Sequence, residues 1–236
     1  MRTAIYGGSF NPPHLGHISA AKTVMTELAP DRLLIMPDCL APHKAMAENT
    51  PSPEHRLEMC RLAFGDIPGA EISELEIRRG GKSYTVDTLE QLTALYPEDT
   101  FYLVMGSDMF LSFTTGWYRF EDILHMCIPV VVSREEDDLD QLENGAEYMR
   151  SRYGADIRIL RKHRPIVLSS SGIRETILSG GTHLLLSDPV REYIERNGYA
   201  CVFGKVVDDR NNVVILHGDI LKPDQDELSR IEIYVE

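Results

Sequence analysis

Gly7-Gly8-Ser9-Phe10-Asn11-Pro12-Pro13-His14-Leu15-Gly16-His17 is the stretch on which the reading of this chain turns. It follows a short apolar, β-branched run, Thr3–Tyr6, and precedes a helical pattern over Gly16–Leu28. It therefore reads as a strand–loop–helix turn. Two glycines let backbone N–H groups approach a ligand with no Cβ in between. Two histidines flank the glycine that opens the helix, where unbonded N–H groups and the helix dipole favour an anion. A phosphate suits that place better than the bland alternative of a solvated Gly/Pro loop.

Outward from this turn, apolar runs alternate with amphipathic helical patterns. Strands are expected at Thr3–Tyr6, Arg32–Met36, Phe101–Met105, Pro129–Val132 and Asp156–Leu160, with a weaker one at Ile166–Leu168. Such continuous apolar runs suit a parallel sheet covered on both faces. Helices are expected at Gly16–Leu28, Pro53–Phe64, Val86–Leu95 and Pro189–Asn197, the last with Asp188 as N-cap and Gly198 just beyond its end. The acidic run Glu135–Asp138 reads as a solvated helix start. The fold class is α/β, a doubly wound parallel sheet of Rossmann-like form, in which ligands bind beyond the carboxyl ends of the strands. After Tyr199 the pattern changes. Two β-like runs, Cys201–Val207 and Val213–His217, read as a hairpin, and Ile231–Val235 as a third strand. We expect a domain over residues 1–199 and a small β-rich extension over 200–236.

A chain of 236 residues suffices for one such domain with an appendage. Its net charge of −13 argues against general affinity for nucleic acid or anionic membranes. Any bound nucleotide must be held by a few placed cations and backbone amides. The four cysteines, Cys39, Cys60, Cys127 and Cys201, form no C-x-x-C pair, which favours reduced, packed thiols. With no signal-like segment and no apolar run of membrane length, the expected setting is cytoplasmic.

Two further segments agree with an anion site. Leu168-Ser169-Ser170-Ser171-Gly172-Ile173-Arg174 opens another helix, with Ser171 as candidate N-cap. A cation in a first helical turn opposes the dipole, which makes sense if an anion occupies the end. Ala41-Pro42-His43-Lys44 follows the second strand, where a lysine can reach a phosphate as a point charge. Arg56 and Arg61, on the next helix, read as surface residues. No G-x-x-x-x-G-K-[ST] loop occurs.

Together these motifs resemble the nucleotidyltransferase superfamily marked by H-x-G-H, with Ser-Ser-Ser-Gly-Ile-Arg similar to its second signature. Three more segments narrow the resemblance to the bacterial nicotinate mononucleotide adenylyltransferases. They are Pro42-His43-Lys44, then Ser83-Tyr84-Thr85 with Asp87-Thr88-Leu89, then Met105-Gly106-Ser107-Asp108 followed by Trp117-Tyr118. The resemblance runs from about Met1 to Tyr199. Ser9, Asn11 and Ser171 stand where that family often has Thr, Asp and Thr, each keeping a polar group of similar reach.

The resemblance implies ATP and nicotinate mononucleotide as substrates, Mg²⁺ carried by the phosphates, and a direct in-line displacement. It implies His17, His14, Lys44 and Arg174 at the reacting phosphates, and Gly7, Gly8, Ser9 and Phe10 along the ATP phosphates and adenosine. Gly106 and Asp108 would meet ribose hydroxyls. Ser133, Arg134, Ser169, Ser170, Ser171 and Ile173 would complete the ATP side. Thr85, Asp108, Trp117 and Tyr118 would recognise the mononucleotide. The residues themselves support part of this. The lone tryptophan in a small-residue loop can stack on a pyridine ring, or else serve as a core or interface anchor. The amides at the start of the Val86–Leu95 helix can take a carboxylate. Alternatives are another acceptor on the same fold, such as phosphopantetheine or nicotinamide mononucleotide, or a sensor without turnover. A homo-oligomer is compatible with the extension.

Overall fold

The computed structural model describes residues 1–42, 50–133, 138–161, 170–178 and 185–197, and the strands 205–207 and 213–215; residues 175–178 and these two strands are described by backbone alone. Strands β1 (Arg2–Gly8), β2 (Arg32–Pro37), β3 (Ala70–Ile72), β4 (Thr100–Gly106), β5 (Cys127–Val132) and β6 (Arg158–Leu160) form one sheet in the order β3-β2-β1-β4-β5-β6. Every pairing within it is parallel. The helices are α1 (Leu15–Thr23), α2 (Pro53–Phe64), α3 (Leu75–Arg79), α4 (Thr85–Leu95), α5 (Ser107–Leu111), α6 (Phe113–Gly116), α7 (Phe120–Met126), α8 (Leu139–Tyr153), α9 (Ser170–Leu178) and α10 (Asp188–Arg196).

The doubly wound arrangement follows from the strands' apolar content. Along β1 and β2 side chains alternate between two separate cores. Ala4, Tyr6, Leu33 and Ile35 pack with Ala21 of α1, Cys60 and Phe64 of α2, and Val190 and Ile194 of α10. Ile5, Leu34 and Met36 pack on the other face with Val86 and Leu89 of α4, Ile123 of α7, and Leu142 and Ala146 of α8. The chain builds one half of the sheet outward from β1 and returns through β4 to build the other. The order reverses between β1 and β4, the switch point beyond whose carboxyl ends sheets of this kind bind ligands.

Four expectations are corrected. The Gly16–Leu28 helix is α1 followed by a π-helical turn, Val24–Leu28, closed by a bond from Ala29 N–H to the Val24 carbonyl and stopped by Pro30. Asp188 is the first helical residue of α10 rather than its cap. Ser187 holds the N-cap position, with extended backbone and its carbonyl accepting the Arg191 N–H at 3.0 Å, and the Asp188 carboxylate pairs with Arg191 at 2.9 Å. The proline tolerates the shift because the second helical N–H is also unbonded within a helix. Ser171 lies inside α9, which begins at Ser170. The expected strand at Asp156–Leu160 shortens to β6, and β3 was not anticipated at all. Beyond these, β7 (Lys205–Val207) and β8 (Val213–Ile215) pair antiparallel, as the hairpin reading expects. The runs Ile166–Leu168 and Ile231–Val235, and Gly198, lie outside the described residues.

Candidate active site

The loop after β1 is built by its own side chains. Phe10 has a φ of 44°, a left-handed backbone unusual for a bulky residue. Its ring is buried against Tyr6, Phe64 and His17, with centroids 5.7, 5.5 and 5.1 Å away. The ring folds back over Gly8, where a Cβ would already sit 3.4 Å from it, so a longer side chain there would displace it. The Asn11–Pro12 bond is cis.

His14 is the N-cap of α1, and the two histidines cap each other's backbone. The His17 N–H donates to His14 Nδ1 at 3.4 Å, and the His14 N–H donates to His17 Nδ1 at 3.2 Å. The rings stack with centroids 3.6 Å apart. Because each Nδ1 accepts, a neutral ring carries its proton on Nε2. The capping box thus fixes the tautomer and turns two imidazole N–H donors away from the helix backbone.

α9 docks on the same loop. Arg174 Nη1 donates to the Asn11 carbonyl at 2.7 Å, and Ser170 Oγ donates to the Pro12 carbonyl at 3.0 Å. Arg174 also donates to Ser171 Oγ at 3.1 Å. The Leu15 N–H donates to the Leu185 carbonyl at 3.0 Å, tying the start of α1 to the segment before α10. Two helix N-termini, two histidines and an arginine therefore converge on one turn.

The remaining expected residues stand on other elements of the fold. Gly106 ends β4, and exposed Asp108 lies in the first turn of α5. Ser133 follows β5, its hydroxyl donating to Asp138 Oδ1 at 2.6 Å in a buried pair. Asp138 is thus an internal anchor at the start of α8, not a solvated one. The side chain of Ile173 lies in the core, so it can serve a nucleotide only through its backbone. The half-buried Trp117 packs on Phe113 with centroids 5.0 Å apart. The exposed Tyr118 leans on Tyr84, the cap of α4, at 5.1 Å, which brings the Trp117–Tyr118 turn to the residue preceding Thr85. Lys44, Arg134 and Ser169 lie outside the described residues. Among the described residues no three His, Cys, Asp or Glu side chains converge as a metal site.

Two participants escaped the sequence reading. Arg56, expected at the surface, is fully buried. It pairs with Asp38 at 3.0 Å beneath the β1 loop, while Arg61 on the same helix remains exposed in ion pairs with Glu58 and Glu74. The second is Glu76 of α3, whose carboxyl is pushed up by burial, against the opposing hydrogen bonds of Thr88 and Ser83 and the nearby Arg79. Thr88 of α4 donates to it at 2.6 Å, and Ser83 Oγ accepts the Cys39 N–H at 2.9 Å. This cluster joins the end of β2 to the start of α4. No spacing signal marks either residue.

The Cytidylyltransferase-like family model matches residues 5–176. A "Probable nicotinate-nucleotide adenylyltransferase" of Carboxydothermus hydrogenoformans is 38% identical over 176 residues, covering 75% of this chain and 86% of that protein. One of the same name from Geobacter metallireducens is 37% identical over 209 residues, covering 82% and 95%. The chain belongs to the nicotinate-nucleotide adenylyltransferase family. The fold agrees with a Plasmodium falciparum nicotinic acid mononucleotide adenylyltransferase solved in complex with NaAD. Its TM-score is 0.70 at 17% identity, covering 85% of this chain and 97% of that one. This family membership bears out the resemblance drawn from the H-x-G-H and Ser-Ser-Ser-Gly-Ile-Arg motifs.

Proposed function

We propose that the protein transfers the adenylyl group of ATP to nicotinate mononucleotide, giving nicotinate adenine dinucleotide and pyrophosphate. The observation that carries this reading is the pair of mutually capped histidines at the start of α1, with Arg174 and Ser170 of α9 docked on the same turn. In the reaction the mononucleotide's phosphate oxygen forms a bond to the α-phosphorus while the bond to the pyrophosphate oxygen breaks. No covalent intermediate on the protein is needed. What the reaction asks of the protein is positioning and stabilisation of negative charge. The Nε2–H of His17 serves the α-phosphate, and that of His14 the adjoining phosphates. Arg174 and Lys44 neutralise the departing pyrophosphate. Donors already held by the capping box need no rearrangement as charge develops.

Mg²⁺ enters with ATP, its ligands being mainly phosphate oxygens and water. Gly7, Gly8, Ser9 and Phe10 line the phosphates and adenosine. Gly106 and Asp108 take the ribose hydroxyls, and Ser133, Arg134, Ser169, Ser171 and the Ile173 backbone flank the adenosine. The unbonded amides at the start of α4, by Thr85, suit the nicotinate carboxylate, and Trp117 and Tyr118 the pyridine ring. A neutral carboxamide would leave those amides without an anion, so the acid form is the preferred acceptor. The division into a domain over 1–199 and an extension over 200–236 belongs to the same reading, supported by a family match that ends at residue 176. A cytoplasmic setting is supported by the free thiols of Cys39, Cys60 and Cys127.

The test is direct. Purified protein with ATP, Mg²⁺ and nicotinate mononucleotide should release pyrophosphate and yield the dinucleotide by mass spectrometry, faster than with nicotinamide mononucleotide or phosphopantetheine. Equal rates with the amide would remove the assigned role of the α4 amides. Absence of pyrophosphate with every acceptor would favour a sensor.

A further inference from the structure

The buried guanidinium of Arg56 takes no part in the steps above, yet it has the fullest set of partners in the loop's foundation. Nη1 donates to the Ser9 carbonyl at 2.7 Å and to Asp38 Oδ1 at 3.0 Å. Nη2 donates to the carbonyls of Asp38 and Cys39 at 2.7 and 3.0 Å. The other Asp38 oxygen accepts the Ser9 hydroxyl at 2.6 Å. Ser9 is thereby held twice, by its carbonyl and by its side chain, and its hydroxyl proton is already committed to Asp38.

The consequence comes from peptide planarity. The Ser9 carbonyl and the Phe10 N–H belong to one trans peptide, so they point in opposite directions. With the carbonyl turned toward the α2 guanidinium, the N–H is turned away from α2. No acceptor among the described residues takes it. The left-handed Phe10 backbone and its packed ring keep the peptide from rotating back.

We propose that Arg56 is a positioning residue that aims the Phe10 amide N–H at the ATP phosphates by gripping the Ser9 carbonyl. This rests on the reading that those phosphates lie over the β1 loop. The task needs arginine. A planar fork reaches three carbonyls and a carboxylate at once, whereas a lysine ammonium supplies the charge without that span. Asp38 supplies the neutralising charge and aligns the fork.

The experiment uses the full chain with Arg56→Lys, and Arg61→Met as the control that loses an exposed arginine from the same helix. Initial rates are measured against ATP and against nicotinate mononucleotide, with a thermal melt of each protein. For a folded Arg56→Lys, kcat/KM for ATP should fall about 10²-fold, the loss of one preorganised donor, while KM for the mononucleotide stays unchanged. Arg61→Met should keep wild-type rates. Full turnover in Arg56→Lys with only a lowered melting temperature would make Arg56 a purely structural residue and overturn the proposal. Should Arg56→Lys fail to fold, amide exchange in labelled wild-type protein decides. Adding α,β-methylene ATP should slow exchange of the Phe10 N–H about tenfold, the effect of one new hydrogen bond; no slowing overturns the proposal. A wild-type protein without turnover fails the functional reading instead, and the two failures are distinct.

Discussion

His17 closes the capping box with Nδ1, and in the proposed reaction its Nε2–H serves the reacting phosphate. His17→Ala should therefore lower kcat on the order of 10²–10³-fold, as removal of a preorganised donor does, with little change in KM for the mononucleotide. Initial-rate kinetics check this; a near-normal kcat would return the role to other donors. Glu76 provides a pH test. Burial raises its folded pKa above the ordinary carboxyl value. As pH climbs from that ordinary range, the unfolded chain releases a proton that the folded chain keeps, so stability falls until the raised value is passed. Glu76→Gln should flatten that decline in urea midpoints measured across pH, and an unchanged slope would place its cause elsewhere. The histidines, Ser170 and Arg174 were legible because their chemistry is written in consecutive residues. Arg56 was not. Arg56 and Arg61 look alike on one helix, and only the carboxylate and carbonyls at the end of β2 decide which of them is buried.

At the scale of elements, Asp99 stitches the strands at the end of the sheet opposite the site. It accepts from Thr3 of β1 at 2.7 Å and Arg32 of β2 at 2.8 Å, just before β4, and pairs with the Met1 amine at 3.0 Å. The Thr3 hydroxyl foremost, then the amine and Arg32, hold its carboxyl below the usual range despite partial desolvation. A depressed folded pKa means stability that is present at neutral pH and drains away as acid approaches the folded value. Asp99→Asn should lower the neutral-pH melting temperature and lessen its fall in acid, while turnover of the folded protein is unchanged. Calorimetry at several pH values checks it. The long central strands were readable because burial on both faces demands unbroken apolar runs. β3 escaped notice because it is a three-residue edge strand, largely half-buried, whose assignment depends on its pairing with β2. Ser187 rather than Asp188 stands at the N-cap of α10 because sequence preference does not separate Ser from Asp there, and the Asp188 carboxylate pairs with Arg191 from inside the helix.

For the whole molecule, thiol chemistry reports folding. Cys60 and Cys127 are buried in opposite cores, and burial pushes both thiols far up from their ordinary value. Thiolates at these positions are scarce in the native state, and reagents cannot reach them. Of the three described cysteines, labelling mapped by mass spectrometry should modify half-buried Cys39 before the others, and Cys60 and Cys127 together only as the chain unfolds in denaturant. Early modification of either would show that one face of the sheet opens by itself. A net charge of −13 makes the molecule as a whole repel polyanions, so an anionic ligand depends on locally placed donors.

The strand order also sets a schedule for synthesis. The loop that carries His14 and His17 precedes the rest of the fold along the chain, but β1 lies between β2 and β4 and lacks its second neighbour until residues 100–106 arrive. Asn11 then waits for Arg174, 163 positions later, before its carbonyl is capped. A nascent chain that carries the signature motif therefore has no working site until nearly all of the domain has been translated. Stalled or truncated products should be catalytically silent, however early the motif appears.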